Sequence, residues 1–421
     1  MDVIIIGGGL CGLIAARDLL ACSPALRVKI FESKERVGGR AFTSFTSTGS
    51  FMHDLGAEFV QPRVQPLIVS ELMHYGIDLE EVLEGENGCE EEDSGFESAT
   101  SQLLLPIFSK IDAASLRIPT DCLYDDSLVD LDIPWGTFLR GLEKDERLVQ
   151  SVEKLSFPFS GAIASEISAL GMLREVKNFG GTLQMFTEGE SRVRGGVSSL
   201  PLAIAEALPA GTLALSSRVL EVLVPECERG TVTVRYTTDT PTASCGDTAA
   251  AVNEVQCRSL LLAVPFNALH KIAFGESSNL PAVLSRILNA SLTGHCGRVH
   301  KSLHPVGSLP PVFPDPQHTL LFPAREAGLQ CLISLASPPS GVSKVAHHDW
   351  CSDADFLGTW MAPRVGQLEI LNGVKTLSGS NKPWANIRFI GADWSPVWPG
   401  WMEGAIASGK HAAMELIKNV L

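Results

Sequence analysis

Asp2-Val3-Ile4-Ile5-Ile6-Gly7-Gly8-Gly9-Leu10-Cys11-Gly12 opens the chain, and its reading decides the fold. Asp2 to Ile6 is a short run, apolar after its first residue, as expected of a parallel strand buried on both faces. Glycines follow at once. Leu10 to Leu20 then reads as a helix with Leu10, Leu13, Ile14 and Ala16 toward the sheet, and Arg27 to Phe31 as a second strand. The unit is a strand–helix–strand of about 30 residues. Gly7, Gly9 and Gly12 punctuate its first turn. One glycine makes the tight turn, one lets the backbone approach a pyrophosphate, and one lets helix and sheet pack closely. The helix N-terminus adds free N–H groups and a partial positive charge. Glu32 ends the second strand, 20 residues after Gly12. Its carboxylate suits ribose hydroxyls and would repel a 2′-phosphate. This is an α/β dinucleotide-binding pattern.

The totals agree with a large folded protein. The chain has 421 residues, which points to two or three domains, and is 45% hydrophobic and 19% charged. A formal net charge of −15 makes nucleic acid a poor partner and is compatible with a cationic substrate. None of the ten cysteines forms a Cys-x-x-Cys pair or a zinc-spaced cluster, so no metal is expected and the thiols read as reduced. The first strand starts almost at Met1 and no run approaches the ~18 apolar residues of a membrane span. The expectation is a cytoplasmic protein without a membrane anchor.

Further along, Glu80 to Ser98 is acidic and aperiodic and reads as a mobile surface loop. Trp135–Leu155, Ser165–Val176 and Val197–Leu208 read as helices. Arg218–Val224 and Thr231–Tyr236 read as strands, and Thr237–Asn253 as a long hairpin tip. Ser259–Val264 reads as a buried strand and Arg388–Ile390 as the last strand. Gly404–Val420 reads as the last helix.

The residues after the second strand distinguish FAD from NAD. Glu32-Ser33-Lys34-Glu35-Arg36-Val37-Gly38-Gly39-Arg40 can bring backbone N–H groups and a guanidinium to the pyrophosphate from a second side. This block resembles the glutathione-reductase-like flavoproteins, in particular their amine oxidase branch. Phe389-Ile390-Gly391-Ala392-Asp393, followed by Gly400-Trp401-Met402-Glu403-Gly404-Ala405, resembles the flavin-binding C-terminus of monoamine oxidases. Leu55-Gly56-Ala57-Glu58-Phe59 is similar to the segment passing the flavin ring, and Val219 to the backbone contact for adenine. The stretch from His348-Asp349-Trp350 through Leu357 to Gly366 is closest to bacterial 6-hydroxynicotine oxidases.

The resemblance implies a glutathione-reductase-type, Rossmann-like FAD domain with an α+β substrate domain. Residues 1–75, 190–275 and 380–421 would form the first, and residues 76–189 and 276–379 the second. It implies FAD contacts at Gly7, Gly9, Gly12, Glu32, Gly38, Gly39, Arg40, Gly56, Ala57, Glu58, Val219, Asp393 and Met402. Trp360 and Trp401 would be the walls of an aromatic cage, and Lys301 would hold a water near flavin N5. His295 and His300 read as structural. Hydride would pass from an amine α-carbon to flavin N5 to give an imine, and dioxygen would reoxidise the flavin with release of hydrogen peroxide. Some relatives carry a cysteine before the first cage aromatic and bond the flavin covalently. Here Thr359 stands there, so FAD should be non-covalent. Pro158 stands near an asparagine of the hydroxynicotine oxidases, which makes that wall more apolar and argues against a hydroxypyridine.

Alternatives remain. An L-amino-acid oxidase needs an arginine clamp, often placed where this chain has Phe59, and Arg63 is only nearby. An oxygen-independent flavin desaturase or isomerase would release no peroxide. A non-catalytic FAD-bearing interaction module would not need the cage. The expected substrate is a small amine, secondary or cyclic among the options. The residues name neither the amine nor an oligomeric state.

Overall fold

The computed structural model describes residues 1–45, 52–82, 99–187, 190–224, 230–238, 251–275, 280–310, 313, 315–324, 328–336, 342–374, 377 and 383–420. The loop expected over Glu80–Ser98 lies outside them from residue 83, and the hairpin tip expected over Thr237–Asn253 from 239 to 250.

The opening pattern folds as its residues require. Val3–Ile6 is a strand buried at every position, Leu10–Cys22 a helix and Val28–Phe31 the next strand. Five parallel strands make the central sheet, in the order Ile387–Phe389, Ser259–Leu262, Val3–Ile6, Val28–Phe31, Leu213–Ala214. Val3 pairs with Ser259 on one side and Val28 on the other. The two ends of the chain therefore meet in one sheet.

Side chains alternate across that sheet as the pleat dictates. Val3, Ile5, Ile30 and Leu261 pack on the first helix and the last, Met402–Val420. Ile4, Ile6, Phe31, Leu260 and Leu262 join the other core cluster, which continues into the helices of the second region. The two helices touch backbone to backbone. A Cβ at Gly409 would lie 2.6 Å from the Cys11 carbonyl oxygen, and one at Gly12 would lie 2.2 Å from that of Gly7.

A second sheet joins Val252–Cys257, Val232–Thr238, Ser217–Leu223 and Ala273–Phe274. A third, fully antiparallel, joins Thr319–Pro323, Leu329–Ser334, His300–Pro305 and Ala346–His348. With the helices between 99 and 187 it makes the α+β region beside the Rossmann-like sheet.

Helix boundaries differ from the sequence reading in several places, the helix expected over Val197–Leu208 running from Ser199 to Ala207. Trp135–Leu155 is two helices, Trp135–Leu142 and Glu146–Ser160. Glu143 is extended, and Asp145 caps the second helix by accepting from the Arg147 N–H at 3.0 Å. The helix expected from Ser165 starts at Ala169, because Ser168 Oγ caps it through the Leu170 N–H at 3.1 Å. The last helix starts at Met402 and not Gly404, which brings its first turn to the cavity described below. Among the described residues no helix is long and apolar enough to cross a membrane.

The Gly409 contact generates a test. Gly409→Val should force the first and last helices apart and lower stability by about 1–3 kcal/mol, the usual cost of overpacking. A urea melt of the purified protein reads this as a lower midpoint. An unchanged midpoint would show that the two helices separate freely.

Candidate active site

One cavity of about 690 Å³ runs from the first strand–helix turn to the antiparallel sheet. That lies within the roughly 300–1,000 Å³ usual for a small-molecule site. Its walls come from both ends of the chain and from the middle.

The glycine turn forms one part. The first helix has Gly9 at its N-cap with no side-chain cap, so its leading N–H groups stay open. A Cβ at Gly9 would meet nothing within 4 Å, so the cradle is open space kept free by the missing side chain. Gly7 and Gly9 border the cavity. Gly12 sits beneath it, under the Gly7 carbonyl. Glu32 borders it too, fixed by the N–H groups of Gly8 at 2.6 Å and Lys34 at 2.8 Å. Burial pushes its carboxyl up, partly offset by those hydrogen bonds.

Gly38, Gly39 and Arg40 form the facing part. The Gly38 N–H donates to the Gly8 carbonyl at 2.9 Å, which holds the two glycine segments together. Arg40 ties three segments. Its Nη2 donates to Asp393 Oδ1 at 2.6 Å and its Nη1 to the Thr359 carbonyl at 2.9 Å. Asp393 also accepts from the Phe266 N–H at 2.9 Å. Burial pushes the Asp393 carboxyl up, but Arg40 and His295 outweigh it and the net shift is downward. Gly56 lets its segment run against this one, since a Cβ there would lie 1.9 Å from the Arg40 carbonyl oxygen. Ala57, Val219 and Met402 complete these walls.

Lys301 and Glu58 meet inside. Lys301 Nζ donates to Glu58 Oε2 at 2.5 Å and to the Gly56 carbonyl at 3.4 Å. These use two of its three ammonium donors, and the residue borders the cavity. Arg192 Nε lies 2.8 Å from Glu58 Oε1. Burial alone would neutralise Glu58, but Lys301, His53 and Arg192 bring its carboxyl down to about 2. Burial also opposes the Lys301 charge, and Glu58 outweighs it, so the ammonium is held charged. His295 is buried, its ring pushed down to about 4 chiefly by desolvation, which makes it a neutral packing residue.

Trp360 and Trp401 both border the cavity, as do Phe59, Pro158 and Phe159. The Thr359 hydroxyl and the Trp360 indole N–H are buried with no hydrogen-bond partner among the described residues. Buried polar atoms are rarely left so, and a guest with polar groups would satisfy them. Together with the uncapped helix and open glycine cradle, they fit a large polar cofactor.

Three charged residues near the site escaped sequence reading. Arg192 stands on the strand Ser191–Val193, and nothing in its spacing marks it. Glu190, just before that strand, borders the cavity, its carboxyl pushed up to about 7 by burial and by Glu58. Glu175 is buried behind Trp401 and accepts its indole N–H at 2.9 Å. It lies on the helix Ala169–Phe179, which Arg174 pins by donating to the carbonyls of Pro119, Leu123 and Pro396 at 2.6–2.8 Å. Burial pushes the Glu175 carboxyl up to about 8.

A sequence profile of the family described as flavin containing amine oxidoreductase matches residues 10–301 and 329–417. The chain is 25% identical over 455 aligned residues to (S)-6-hydroxynicotine oxidase of Paenarthrobacter nicotinovorans, with 99% of each covered. It is 23% identical to flavin-containing amine oxidase A of Bos taurus, over 99% of this chain and 85% of that protein. Among solved structures, cyclohexylamine oxidase from Brevibacterium oxydans IH-35A superposes with a TM-score of 0.73 at 18% identity, over 100% of this chain and 99% of that one. Putrescine oxidase bound to putrescine gives a TM-score of 0.73 at 20% identity, with 99% of each chain covered. These two likenesses are of fold.

Glu175 generates a prediction. In the folded protein its carboxyl stays neutral up to about pH 8, against an ordinary value of 4.5 when unfolded. The unfolded chain thus releases this proton first, and the stability it contributes below pH 4.5 is lost as pH rises toward 8. Glu175→Gln keeps an acceptor for Trp401 and removes the titration. The variant's melting temperature should gain on the parent's between pH 5 and pH 8, measured by circular dichroism. A constant difference across that range would show that Glu175 is ionised already.

Proposed function

The chain belongs to the flavin-containing amine oxidoreductases and is an FAD-dependent amine oxidase, and on that premise we propose that it oxidises a secondary or cyclic amine held between Trp360 and Trp401. One observation supports this placement. Both indoles border a cavity that Phe59, Pro158 and Phe159 also line, and the buried cation Lys301 in it is compensated by Glu58. Such a slot favours a neutral amine, because desolvation disfavours the protonated form.

The chemistry that FAD supplies when bound is acceptance of a hydride from the amine α-carbon, leaving an imine, with dioxygen as the acceptor that yields hydrogen peroxide. The residues proposed to hold it follow from the geometry. The open N–H groups after Gly9, with Gly38 and Gly39, suit the pyrophosphate. Arg40 and Asp393 hold the surrounding segments together. Glu32 suits ribose hydroxyls and Val219 the adenine edge. The first turn of the last helix, at Met402, brings a partial positive charge toward the ring system. We take residues 1–75, 190–275 and 380–421 as the cofactor-binding part and the rest as the substrate part.

The chain's own contribution to the reaction is orientation and dryness. Trp360 and Trp401 align the amine by contact with their faces. Lys301 keeps a positive charge in a site that excludes water, where it acts most strongly on a developing anion. An L-amino-acid oxidase is less well supported. Phe59 stands at the wall, Arg192 faces Glu58, and Arg63 is exposed.

Two outcomes are expected. Trp360→Ala and Trp401→Ala should each lower kcat/KM for an oxidised cyclic amine by about 2–4 kcal/mol of transition-state stabilisation while the visible flavin absorbance of the purified protein is retained. Unchanged turnover in both would return the rings to a packing role. Acid precipitation should leave the yellow colour in the supernatant, because Thr359 cannot form a thioether. Colour in the pellet would reveal a covalent link.

A further inference from the structure

Glu190 borders the cavity as Asp355 does, but Asp355 is paired with Lys34 and Arg218, and among the described residues Glu190 is not paired. Its position is fixed. Its carbonyl accepts the Val82 N–H at 3.0 Å, and the strand Ser191–Val193 that follows is paired on both sides, with Phe59–Val60 and Leu79–Glu81. Glu190 and Arg192, two residues apart on extended chain, point to one face, as Arg192 meets Glu58 there. Yet the two acids differ. Glu58 has Lys301 and Arg192 within ion-pair distance. The Glu190 carboxylate has no hydrogen bond or ion pair among the described residues, and it borders the cavity. Burial and then Glu58 push its carboxyl up to about 7 against the opposing pull of Arg192, which is itself in contact with Glu58.

The nitrogen undergoing oxidation must be neutral to release a hydride from its α-carbon. An ionised carboxylate beside it would hold it protonated and unreactive. Glu190 therefore suits a nitrogen that stays charged. A protonated amine would gain a charge-assisted hydrogen bond there, strengthened by exclusion of water. We propose that Glu190 anchors a second, protonated nitrogen of the substrate, so that diamines, or cyclic amines carrying another basic nitrogen, are preferred over monoamines of equal length. This rests on the reading of the cavity as an amine-oxidising site.

The test compares a series of α,ω-diaminoalkanes with n-alkylamines of the same length, using the FAD-loaded enzyme, Glu190→Gln and Glu190→Asp. The ratio of kcat/KM for diamine over monoamine should exceed one for some chain length in the parent. It should fall at least tenfold in Glu190→Gln, mainly through KM, and be retained in larger part by Glu190→Asp, which keeps the charge. An equal effect on both series, or no preference for any diamine in the parent, would overturn the proposal. A parallel titration follows the flavin spectrum with diamines and monoamines whose α-carbons carry no hydrogen. If the parent oxidises neither these series nor any secondary or cyclic amine, the reading of the reaction falls, while this titration still decides Glu190. Tighter diamine binding that Glu190→Gln abolishes supports the anchor, and equal binding overturns it.

Discussion

The close backbone contact between the first and last helices organises everything else in this protein. Gly409 on Cys11, and Gly12 under the Gly7 carbonyl, let two helices start at the edge of the same cavity. Both N-termini carry partial positive charge. The outcome is a site where the ends of a long chain deliver oriented N–H groups to one place. The parallel sheet makes this possible, since its neighbouring strands come from residues 3–6, 259–262 and 387–389.

Charge inside the cavity is handled pairwise. Asp393 is matched by Arg40, and Glu58 by Lys301 with Arg192 nearby. Each pair also joins segments remote in sequence, so the same contacts that hold charges in a dry site hold the walls in place. Breaking one partner of such a pair leaves a buried charge and costs more than the pair itself contributes. The cavity's acids therefore divide into those that have a fixed counter-ion and those, Glu32 and Glu190, that depend on backbone donors or on what enters.

The glycine turn, Glu32 and the Gly38-Gly39-Arg40 block were legible in the sequence because their constraints are local. A tight turn, a strand end and a helix start are set by neighbours within a few residues. Four of the five central strands were legible for the same reason, as short, mostly apolar runs, and Leu213–Ala214 was not, because two residues carry no pattern. The break between Leu142 and Glu146 was not, because a periodic pattern of apolar residues runs on through a turn that only the Asp145 cap reveals. Glu175, Glu190 and Arg192 were illegible for a different reason. Each is an ordinary charged residue in its own segment, and its role comes from what the fold places beside it. Glu175 matters through Trp401, more than two hundred positions away. Lys301 was marked by resemblance, but its engagement with Glu58 and the Gly56 carbonyl could be seen only in three dimensions.

The Trp401–Glu175 contact shows how an apolar slot can keep its shape. An indole offers the substrate a face and needs a partner for its N–H at the rim. Trp401 finds that partner in a buried acid that sits on a helix pinned by Arg174. Phe179 and Trp398 meet its ring edge-on, at 5.6 Å and 5.3 Å between centroids. The ring is thus held by packing and by one hydrogen bond at its polar end. Trp360 is held differently. It lies against Gly161, where a Cβ would come within 2.9 Å of the ring, and its N–H has no partner among the described residues. One wall of the slot is fixed by a polar anchor and the other by close contact with backbone. The second wall therefore has the greater freedom to adjust its polar edge to the molecule bound beside it.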